Sequence, residues 1–247
     1  MRGYQLHLSR GDSLLKDRKG RSQKFKKILS ILRDFHGSFD SLNGLDIGCS
    51  SGIITNLLGE NLRTAIGIDI DQEAIQSAKR NASSPRTHFF VGDSMALPFH
   101  DQSIDVIVCN HIYEHVPEAS RLMDEIYRVM KDGGFCYFSA GNRYMLVEGH
   151  YGLPFLSWVP KPLAHLYLRL FGKGTFYYEE HRSLRQLRKL VWRFRIHDYT
   201  LNVIRDPAKF CATDLLDPRS VLYRWMRLLA PALYRWIPTY LWVLTKR

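Results

Sequence analysis

The amino-acid sequence predicts an α/β fold in which a doubly wound, mostly parallel sheet of seven strands is covered by helices on both faces. The first observation is that short apolar runs, rich in β-branched and aromatic residues, alternate with helical patterns along residues 40–142. Such alternation is typical of parallel sheets. The second is that 45% of the 247 residues are hydrophobic, as in a packed globular domain. The predicted strands are 44–47, 64–68, 88–91, 105–109, 135–140, 194–204 and 240–245.

Helices are predicted where apolar residues recur every three to four positions. The last of them is amphipathic, with Leu222, Trp225 and Leu229 on its apolar side and arginines on another. Pro231 has no amide proton, so a kink is expected there. A helix of this kind either packs on its own domain or lies on an anionic membrane surface. The predicted helices are 22–35, 53–58, 72–81, 119–130, 163–171, 184–191 and 220–237.

The chain is expected to form a single domain of three parts. Residues 1–40 hold a basic segment and then a helix. Within this part, residues 1–20 are expected either to be loosely ordered or to form a lid over a bound ligand. Residues 41–142 form the regular α/β half. Residues 143–247 begin with an aromatic, proline-bearing insert after the fifth strand and continue with the amphipathic helix and the last strands.

The net charge indicates the kind of partner that the protein binds, and the spacing of the cysteines indicates its redox compartment. A formal net charge of +11 favours an anionic partner such as nucleic acid, an acidic lipid surface or a phosphorylated substrate, although a basic surface also serves solubility alone. Cys49, Cys109, Cys136 and Cys211 show no C-x-x-C spacing, which favours a reduced, cytoplasmic protein. The basic residues 1–27 lack the apolar core of a secretory signal, and no uncharged apolar run is long enough to span a bilayer.

The stretch 44–52, Gly-Leu-Asp-Ile-Gly-Cys-Ser-Ser-Gly, predicts a ligand site. An apolar strand ends there on Asp46, and the small residues that follow permit a sharp turn and a close approach of a ligand to backbone N–H groups. The helix predicted next adds N–H donors and the positive end of its dipole. No Gly-Lys-Ser/Thr follows, which excludes a phosphate-binding P-loop. Because Asp46 would repel a pyrophosphate, we expect a nucleotide-like ligand with a cationic or zwitterionic end.

Two further aspartates end the next two predicted strands. Asp69 closes the strand 64–68, at the position where a carboxylate typically holds a ribose diol. Asp93 follows the strand 88–91, where it is placed to accept a hydrogen bond from an adenine amino group. Together with Asp46, they are expected to surround one ligand at the carboxyl edge of the sheet.

These segments, taken in order, resemble the class I S-adenosylmethionine-dependent methyltransferases of the type 11 group. The resemblance covers residues 40–142 and rests on 45–52, 67–69, 92–99, 105–110 and 130–134. It implies a Rossmann-like fold, S-adenosyl-L-methionine as cofactor and an antiparallel last strand. Ser50 departs from the glycine that the family usually carries, a change small enough that we expect binding to survive. The cofactor-binding residues implied are Asp46, Gly48, Cys49, Ser50, Gly52, Asp69, Ile70, Asp93, Ser94 and Asn110.

His150 is the first candidate for a catalytic base, because methyl transfer to an oxygen releases a proton. It lies with Glu148 in a glycine- and proline-bearing loop after the fifth predicted strand, a typical position for a substrate lid. His181, beside Glu179 and Glu180, is the second candidate. The alternative is that His150 only packs or caps within its loop and that His181 only caps the helix predicted to follow it.

Residues 111–115, His-Ile-Tyr-Glu-His, formally match the H-x-x-E-H pattern of one class of zinc protease. That pattern requires a long helix, whereas here it follows a short strand and precedes Pro117, so we do not expect a protease. Some quinone-biosynthesis O-methyltransferases resemble this segment and hold a divalent ion with two glutamates and a histidine. His111 replaces one of the glutamates, and imidazole is a poor ligand for Mg²⁺. We therefore predict no metal site, and a structural role for His115 beside the cofactor pocket.

The aromatic insert and the amphipathic helix favour O-methylation of a small-molecule or lipid-linked acceptor. Residues 148–158 also resemble methyltransferases of bacterial polysaccharide assembly. Peripheral contact with an anionic membrane, at the inner face, belongs to this hypothesis. One alternative is an RNA methyltransferase, indicated by charge alone, since the sequence contains no Asn/Asp-Pro-Pro-Tyr/Phe segment and no separate nucleic-acid module. The other is a catalytically silent cofactor-binding or membrane-docking protein. The sequence leaves the oligomeric state open.

Overall fold

The computed structural model describes residues 18–247. The predicted lid lies almost wholly outside these residues. Within them, the chain forms a seven-stranded sheet with helices on both faces, as the sequence predicted. The strands are β1 Asn43–Ile47, β2 Thr64–Asp69, β3 Thr87–Val91, β4 Ile104–Asn110, β5 Met130–Gly141, β6 Phe194–Asp198 and β7 Thr239–Lys246.

The helices lie between the strands in the expected alternation over the first half of the chain. Two short 3₁₀ helices, Leu156–Trp158 and Tyr234–Trp236, occur in the second half. The α-helices are α1 Arg18–His36, α2 Ile53–Gly59, α3 Gln72–Arg80, α4 Ala119–Val129, α5 Lys161–Leu170, α6 Leu184–Leu190, α7 Thr200–Arg205 and α8 Val221–Leu229.

The order of strands across the sheet is β3-β2-β1-β4-β5-β7-β6. All neighbouring pairs from β3 to β5 are parallel, and β7 runs antiparallel to both β5 and β6. The antiparallel last strand implied by the family resemblance is therefore confirmed. Because β1 is flanked by β2 and β4, the turns after these three strands meet at one edge of the sheet.

Alternate residues of the central strands enter different cores, as the two-residue period of a strand requires. Leu45 and Ile47 belong to the core on one face, with α4 and α6. Val106 and Val108 belong to the core on the other face, with α1 and α2. Both faces of the parallel strands are thus buried, which explains why these strands are almost continuously apolar in sequence.

Two predicted elements end earlier than expected. The predicted strand 194–204 stops at Asp198, whose carboxylate accepts a hydrogen bond from the N–H of Thr200 (2.9 Å) and starts α7. The predicted helix 220–237 ends at Leu229. Pro231 provides no N–H for a carbonyl of the preceding turn, so it ends this helix instead of kinking it.

The insert after β5 has a small core of its own. Its buried residues come from the 3₁₀ helix, from α5 and from the segments around them. Several apolar side chains of α5 point into solvent instead, among them Leu163, Leu166 and Leu170. Within residues 18–247, the length and hydropathy needed to cross a membrane are not reached by any helix. The core residues of the insert are Leu153, Leu156, Ala164, Leu168 and Tyr177.

Candidate active site

The turn after β1 is held by β2. The N–H groups of Gly48 and Cys49 donate to the carbonyl of Ile68 (2.8 and 3.1 Å), and that of Ser50 donates to the Asp69 carboxylate (2.8 Å). The sequence led us to expect these donors to be open to a ligand, and that expectation is wrong for all three, because the neighbouring parallel strand lies close enough to use them. Gly48, Ser50 and Gly52 have φ angles of 70°, 50° and 77°, which only glycine adopts without strain.

Cys49 turns its side chain away from this edge. It is buried in a small cluster with Ile75, Ala78 and Phe89. Burial, together with the nearby charges of Asp46 and Asp69, raises the pKa of its thiol well above the ordinary value. Its N–H is also bound and its carbonyl accepts from the N–H of Gly52 (3.0 Å), so Cys49 acts mainly by shaping the turn.

Asp46 is a buried carboxylate, with 4% of its surface exposed. The hydroxyl of Thr55 on α2 donates to Oδ2 at 2.6 Å. Burial raises the pKa of Asp46 to about 7, and the hydrogen bond from Thr55 only partly offsets this. Asp46 therefore gains from a nearby positive charge, as expected for a site that takes the cationic end of a ligand.

Asp69 ends β2 beside the same turn. Its carboxylate accepts hydrogen bonds from the N–H groups of Ser50 (2.8 Å) and Asp71 (2.9 Å). Burial raises its pKa in spite of these bonds. Each carboxylate oxygen keeps a second lone pair for a further donor such as a hydroxyl. Ile70 follows directly and is half-buried, and Asp71 caps α3.

Asp93 follows β3 on the outer side of Asp69. The N–H of Gly92 donates to the backbone carbonyl of Asp69 (3.0 Å), and Asp93 itself accepts from the N–H of Met95 (2.8 Å). Asp93 and Ser94 are both half-buried. The three aspartates therefore end three adjacent parallel strands, β1, β2 and β3, at one edge of the sheet.

The segment after β4 lies beside the turn after β1. A Cβ atom added to Gly48 would lie 2.1 Å from Cδ1 of Ile112, so the two segments are in contact. Asn110 ends β4 and is half-buried, and His111 adopts a left-handed conformation with φ 57°. Because residues 111–115 form a turn and not a helix, the zinc-protease geometry is absent.

Glu148 is the centre of a hydrogen-bonded cluster in the insert. Its buried carboxylate accepts from the N–H of His150 (2.8 Å) and of Tyr151 (2.9 Å). It also contacts the ring nitrogens Nδ1 of His150 (2.8 Å) and Nε2 of His181 (3.2 Å). The two histidines chosen separately from the sequence thus meet on one carboxylate.

The contact between Glu148 and His150 changes the pKa of both side chains. Burial opposes the charge on each, but it is outweighed by the hydrogen bonds between them and by their mutual attraction. The pKa of His150 is raised to about 9, with help from Glu179 and Glu114, and that of Glu148 is lowered. The imidazole ring of His150 is 27% exposed, so it remains accessible to a small molecule.

His115 and Glu179 extend the cluster. The ring centroid of His115 is 4.8 Å from that of His150, and its Nδ1 is 3.8 Å from Glu179 Oε1. Burial is the main reason why the pKa of His115 is lowered to about 4, so its imidazole is neutral at pH 7. The sequence placed Glu179 with His181, but the structure places Glu179 with His115. His181 does not cap α6 either, because Ser183 and Gln186 form the capping box there.

Tyr113 is a residue of this site that the sequence did not single out. Its hydroxyl donates to the carbonyl of Gly141 and accepts from the N–H of Arg182 (3.0 Å). The N–H of Glu180 donates to the carbonyl of Glu114 (2.9 Å). These bonds hold residues 179–182 against the turn after β4 and so bring His181 to Glu148. A single tyrosine in a turn carries no pattern that would have predicted this role.

Two groups in the described part of the chain bring potential metal-ligand atoms within 4.8 Å of one another. One is His115, His150 and Glu179, and the other is Glu148, His150 and His181. The set suggested by the quinone-biosynthesis enzymes, His111, Glu114 and His115, is not among them. His111 Nδ1 lies 3.0 Å from Glu114 Oε1, and His150 lies 2.8 Å from Glu148, both of which are hydrogen-bond distances. We therefore treat the cluster as a network that holds protons.

A large groove lies elsewhere on the molecule. It has a volume of about 970 Å³, is open to solvent, and runs between α7 and α8. It is therefore separate from the three aspartates and from the Glu148 cluster. Its lining residues are Arg205, Pro218, Tyr223, Arg224, Arg227, Leu228 and Pro231.

Comparison with known proteins agrees with this geometry. Residues 45–138, from β1 into β5, match a family model described as a methyltransferase domain. A ubiquinone biosynthesis O-methyltransferase of Hydrogenovibrio crunogenus is 26% identical over 134 residues, which are 51% of this chain and 55% of that protein. A probable S-adenosylmethionine-dependent methyltransferase of Mycolicibacterium smegmatis is 30% identical over 105 residues, 42% of this chain and 40% of that protein. The matched region spans about half the length of these curated relatives, or less.

Solved structures share the fold over most of the chain. An S-adenosylmethionine-dependent methyltransferase from Mesorhizobium loti aligns with a TM-score of 0.59 and 17% identity, covering 88% of this chain and 96% of that one. A complex between the Trm112 methyltransferase activator of Haloferax volcanii and a methyltransferase contains a chain that aligns with a TM-score of 0.58 and 18% identity, covering 94% and 95%. At these identities the likeness concerns the fold alone.

Residues 45–138 therefore carry a methyltransferase domain, and the sheet order and the three strand-end aspartates agree with the class I fold of S-adenosylmethionine-dependent methyltransferases. The family implies S-adenosyl-L-methionine as the cofactor, and the residues present fit it. Burial outweighs the attraction of Arg21 and raises the pKa of Asp46, so its ionised form gains from a further cation, and Oγ of Ser50 is buried without a hydrogen-bond partner among the described residues. An ammonium group and a further polar ligand atom would satisfy both.

Proposed function

We propose that this protein transfers a methyl group from S-adenosyl-L-methionine to a hydroxyl group of a small-molecule or lipid-linked acceptor. The single observation that carries the proposal is the contact between two sites. The turn beside Asp46 touches Ile112 through Gly48, and three residues later His115 touches His150 of the Glu148 cluster. A cofactor held at the three aspartates thereby adjoins a group able to take a proton.

The cofactor-binding residues act by charge and hydrogen bonding in this proposal. Asp46 pairs with the ammonium group of the methionine part, Asp69 accepts from the ribose hydroxyls, and Asp93 accepts from the adenine amino group. Ile70, Ser94 and Asn110 line the same edge of the sheet. The bound cofactor supplies a methyl group already activated by a sulfonium, so positioning accounts for much of the rate enhancement.

His150 takes the proton that the acceptor hydroxyl loses as its oxygen binds the methyl group. Glu148 orients the ring through Nδ1, and His181 holds Glu148 from the other side. Because the pKa of His150 is about 9, the ring is charged at neutral pH and becomes a base as the pH rises through that value. We therefore propose that turnover increases with pH up to about 9.

The acceptor class is proposed from the surroundings of the cluster. Apolar side chains next to Glu148 in the chain point into solvent, among them Leu146, Val147 and Phe155. They suit an acceptor with an apolar portion beside its hydroxyl. The similarity to the ubiquinone biosynthesis O-methyltransferase of Hydrogenovibrio crunogenus supports an oxygen acceptor.

We also propose that the protein works in the cytoplasm. Its four cysteines are free, and Cys49, Cys109 and Cys136 are buried. Unpaired, buried thiols suit a reducing compartment.

The proposal is tested first by binding and then by turnover. Calorimetry should show that S-adenosylmethionine binds the wild-type protein and that Asp69→Ala weakens binding by roughly tenfold or more, because the ribose loses a charged acceptor. Formation of S-adenosylhomocysteine is then followed with a panel of phenols, sugar alcohols and prenylated phenols. His150→Ala should keep cofactor affinity and lose turnover, whereas His100→Ala, an exposed histidine outside the cluster, should keep both.

Unchanged affinity in Asp69→Ala would remove the aspartates from the cofactor site. Wild-type rates in His150→Ala would remove His150 as the base. Methylation of RNA in place of the panel would contradict the acceptor class, and cofactor binding without any product would favour a catalytically silent protein.

A further inference from the structure

Helix α8 turns its apolar side to solvent. Of its nine residues only Tyr223 is buried, while Leu222 and Trp225 are 78% and 58% exposed. Positions 221, 225 and 228 are spaced at four and three residues, so they share one side of the helix with their neighbours 222 and 229. A helix in a soluble protein ordinarily buries such a side. The exposed residues are Val221, Leu222, Trp225, Leu228 and Leu229.

Arginines flank this apolar side. Arg224 and Arg227 are three residues apart on α8, and Arg205 faces them from α7 across the open groove. Within residues 18–247 none of the three forms an ion pair. The nearby carboxylates of Asp206 and Asp217 accept hydrogen bonds from the backbone N–H groups of Lys209 and Arg219. The groove therefore presents positive charge beside an apolar strip.

The apolar surface continues past the end of α8. Trp236 contacts Trp158 of the insert, with ring centroids 5.5 Å apart, and Trp158 contacts Phe155 at 5.1 Å. Phe155 and Trp236 are both exposed. The 3₁₀ helix that follows α8 is thus in contact with the insert that carries the Glu148 cluster, through aromatic side chains of a kind that favours the boundary between water and lipid.

The charges decide between the possible occupants of this face. In a symmetric contact with a second copy, the three arginines of each copy would outnumber the nearby carboxylates of Asp206 and Asp217, so like charges would meet across the interface. An anionic bilayer offers the matching chemistry, because its phosphates accept paired hydrogen bonds from guanidinium groups while its acyl boundary takes the apolar side chains.

We propose that α8 docks the protein on an anionic phospholipid surface, with Arg205, Arg224 and Arg227 binding lipid phosphates in the groove and the Leu222–Trp225 side entering the acyl boundary. This surface acts independently of methyl transfer. It places the insert, and with it the exposed side of the Glu148 cluster, next to the membrane.

The test is co-sedimentation of the full chain with vesicles of phosphatidylcholine, with and without phosphatidylglycerol. The wild-type protein should bind the phosphatidylglycerol vesicles, and added salt should weaken that binding. Arg224→Glu with Arg227→Glu should lower affinity by roughly tenfold or more, because each basic residue near an anionic surface contributes on the order of 1 kcal/mol. Leu222→Glu with Trp225→Glu should abolish binding.

Matched controls lie away from this surface. Arg80→Glu with Arg86→Glu makes the same change of charge near β3, at the opposite edge of the sheet, and Trp192→Glu changes another exposed tryptophan. Both controls should keep wild-type binding. His150→Ala should also bind vesicles, which separates failure of docking from failure of the proposed reaction.

Three results would overturn the proposal. One is no binding to vesicles by the wild-type protein, and another is an equal loss of binding in the control variants. The third is a wild-type dimer in solution that Leu222→Glu with Trp225→Glu converts to a monomer, since that face would then be covered by a second copy. Circular dichroism verifies that each variant is folded, as expected for exposed positions.

Discussion

Asp46 is held where its charge is unfavourable until a cation arrives. The carboxylate is buried, it accepts a hydrogen bond from the hydroxyl of Thr55, and its pKa is raised to about 7. Ionisation at neutral pH therefore lowers the stability of the ligand-free protein. A buried residue that costs stability and lies at a binding edge is more easily explained by binding than by folding.

Asp46→Asn should separate these two effects. Asparagine keeps an acceptor for Thr55 and removes the charge, so the free energy of unfolding at pH 8 should rise by roughly 1–3 kcal/mol. Because the pKa of Asp46 is raised on folding, its contribution to stability falls as pH rises from about 4 to about 7, and the variant should lose this fall. Urea unfolding at several pH values measures both.

The same variant should bind S-adenosylmethionine roughly tenfold more weakly or worse, because the ammonium group loses its counter-charge. Wild-type affinity also should fall as pH is lowered through 7. Asp40→Asn, an exposed aspartate before β1, is the control and should change neither property. A lower free energy of unfolding for Asp46→Asn than for the wild type at pH 8 would contradict this role of Asp46.

Glu148 sets the pKa of His150 by contact, so its substitution should move the pH dependence of turnover. Glu148→Gln removes the charge that holds the pKa of His150 near 9, and the rise in rate should shift to lower pH. The maximal rate should fall because the ring loses an orienting acceptor. Rates of S-adenosylhomocysteine formation against pH measure the shift, and Glu180→Gln, an exposed neighbour of His181, should leave the profile in place.

At the scale of elements, α4 fixes the segment that carries Asp93. Arg128 donates to the carbonyls of Leu97 (2.9 Å) and Phe99 (2.8 Å) and pairs with Glu125 (2.7 Å). Glu125 in turn accepts from the N–H of Leu97 (2.7 Å). The loop after β3 is thereby tied to a helix and not to its own strand alone.

Arg128→Met should loosen this loop. The free energy of unfolding should fall by about 1–2 kcal/mol, since two carbonyls and Glu125 lose their donor. Cofactor affinity should fall as well, because the Asp93 loop must then be ordered on binding. Urea unfolding and calorimetry measure the two effects. Arg121→Met, an exposed arginine on the same helix, should show neither, and equal losses in both variants would refute the role of Arg128.

At the scale of the whole molecule, the titration of the Glu148 cluster is coupled to folding. The pKa of His150 is raised from 6.5 to about 9 in the folded protein by Glu148, with Glu179 and Glu114 adding to it. Such a group contributes stability that is fully present below its unfolded pKa and is lost as pH rises through its folded pKa. The cluster joins the insert to the segment before α6, so deprotonation of His150 weakens the contact between these two segments.

Stability of the full chain should therefore fall between about pH 6.5 and about 9 by an amount that depends on His150. His150→Gln should flatten this part of the curve of urea midpoint against pH, while His100→Gln should leave it as in the wild type. Identical curves for His150→Gln and the wild type would show that the ring does not pair with Glu148 in solution.

The cofactor-binding part of the site could be predicted from the sequence because the residues that mark it lie close to one another along the chain. The strand ends, the small residues of the turn and the aspartates that follow each strand lie within a few positions of one another, and parallel pairing brings successive strand ends to one edge. The N–H groups of the turn were assigned wrongly because the sequence does not show that β2 lies close enough to bind them.

The sequence by itself determined the α/β class, the alternation of elements and the three strand-end aspartates, because these follow from short-range periodicity and turn chemistry. Only the tertiary structure decided that His115, His150 and His181, which are distant along the chain, meet around Glu148 and Glu179. It alone also showed that α8 exposes its apolar side, since the pattern of a helix states which side is apolar but not what covers it.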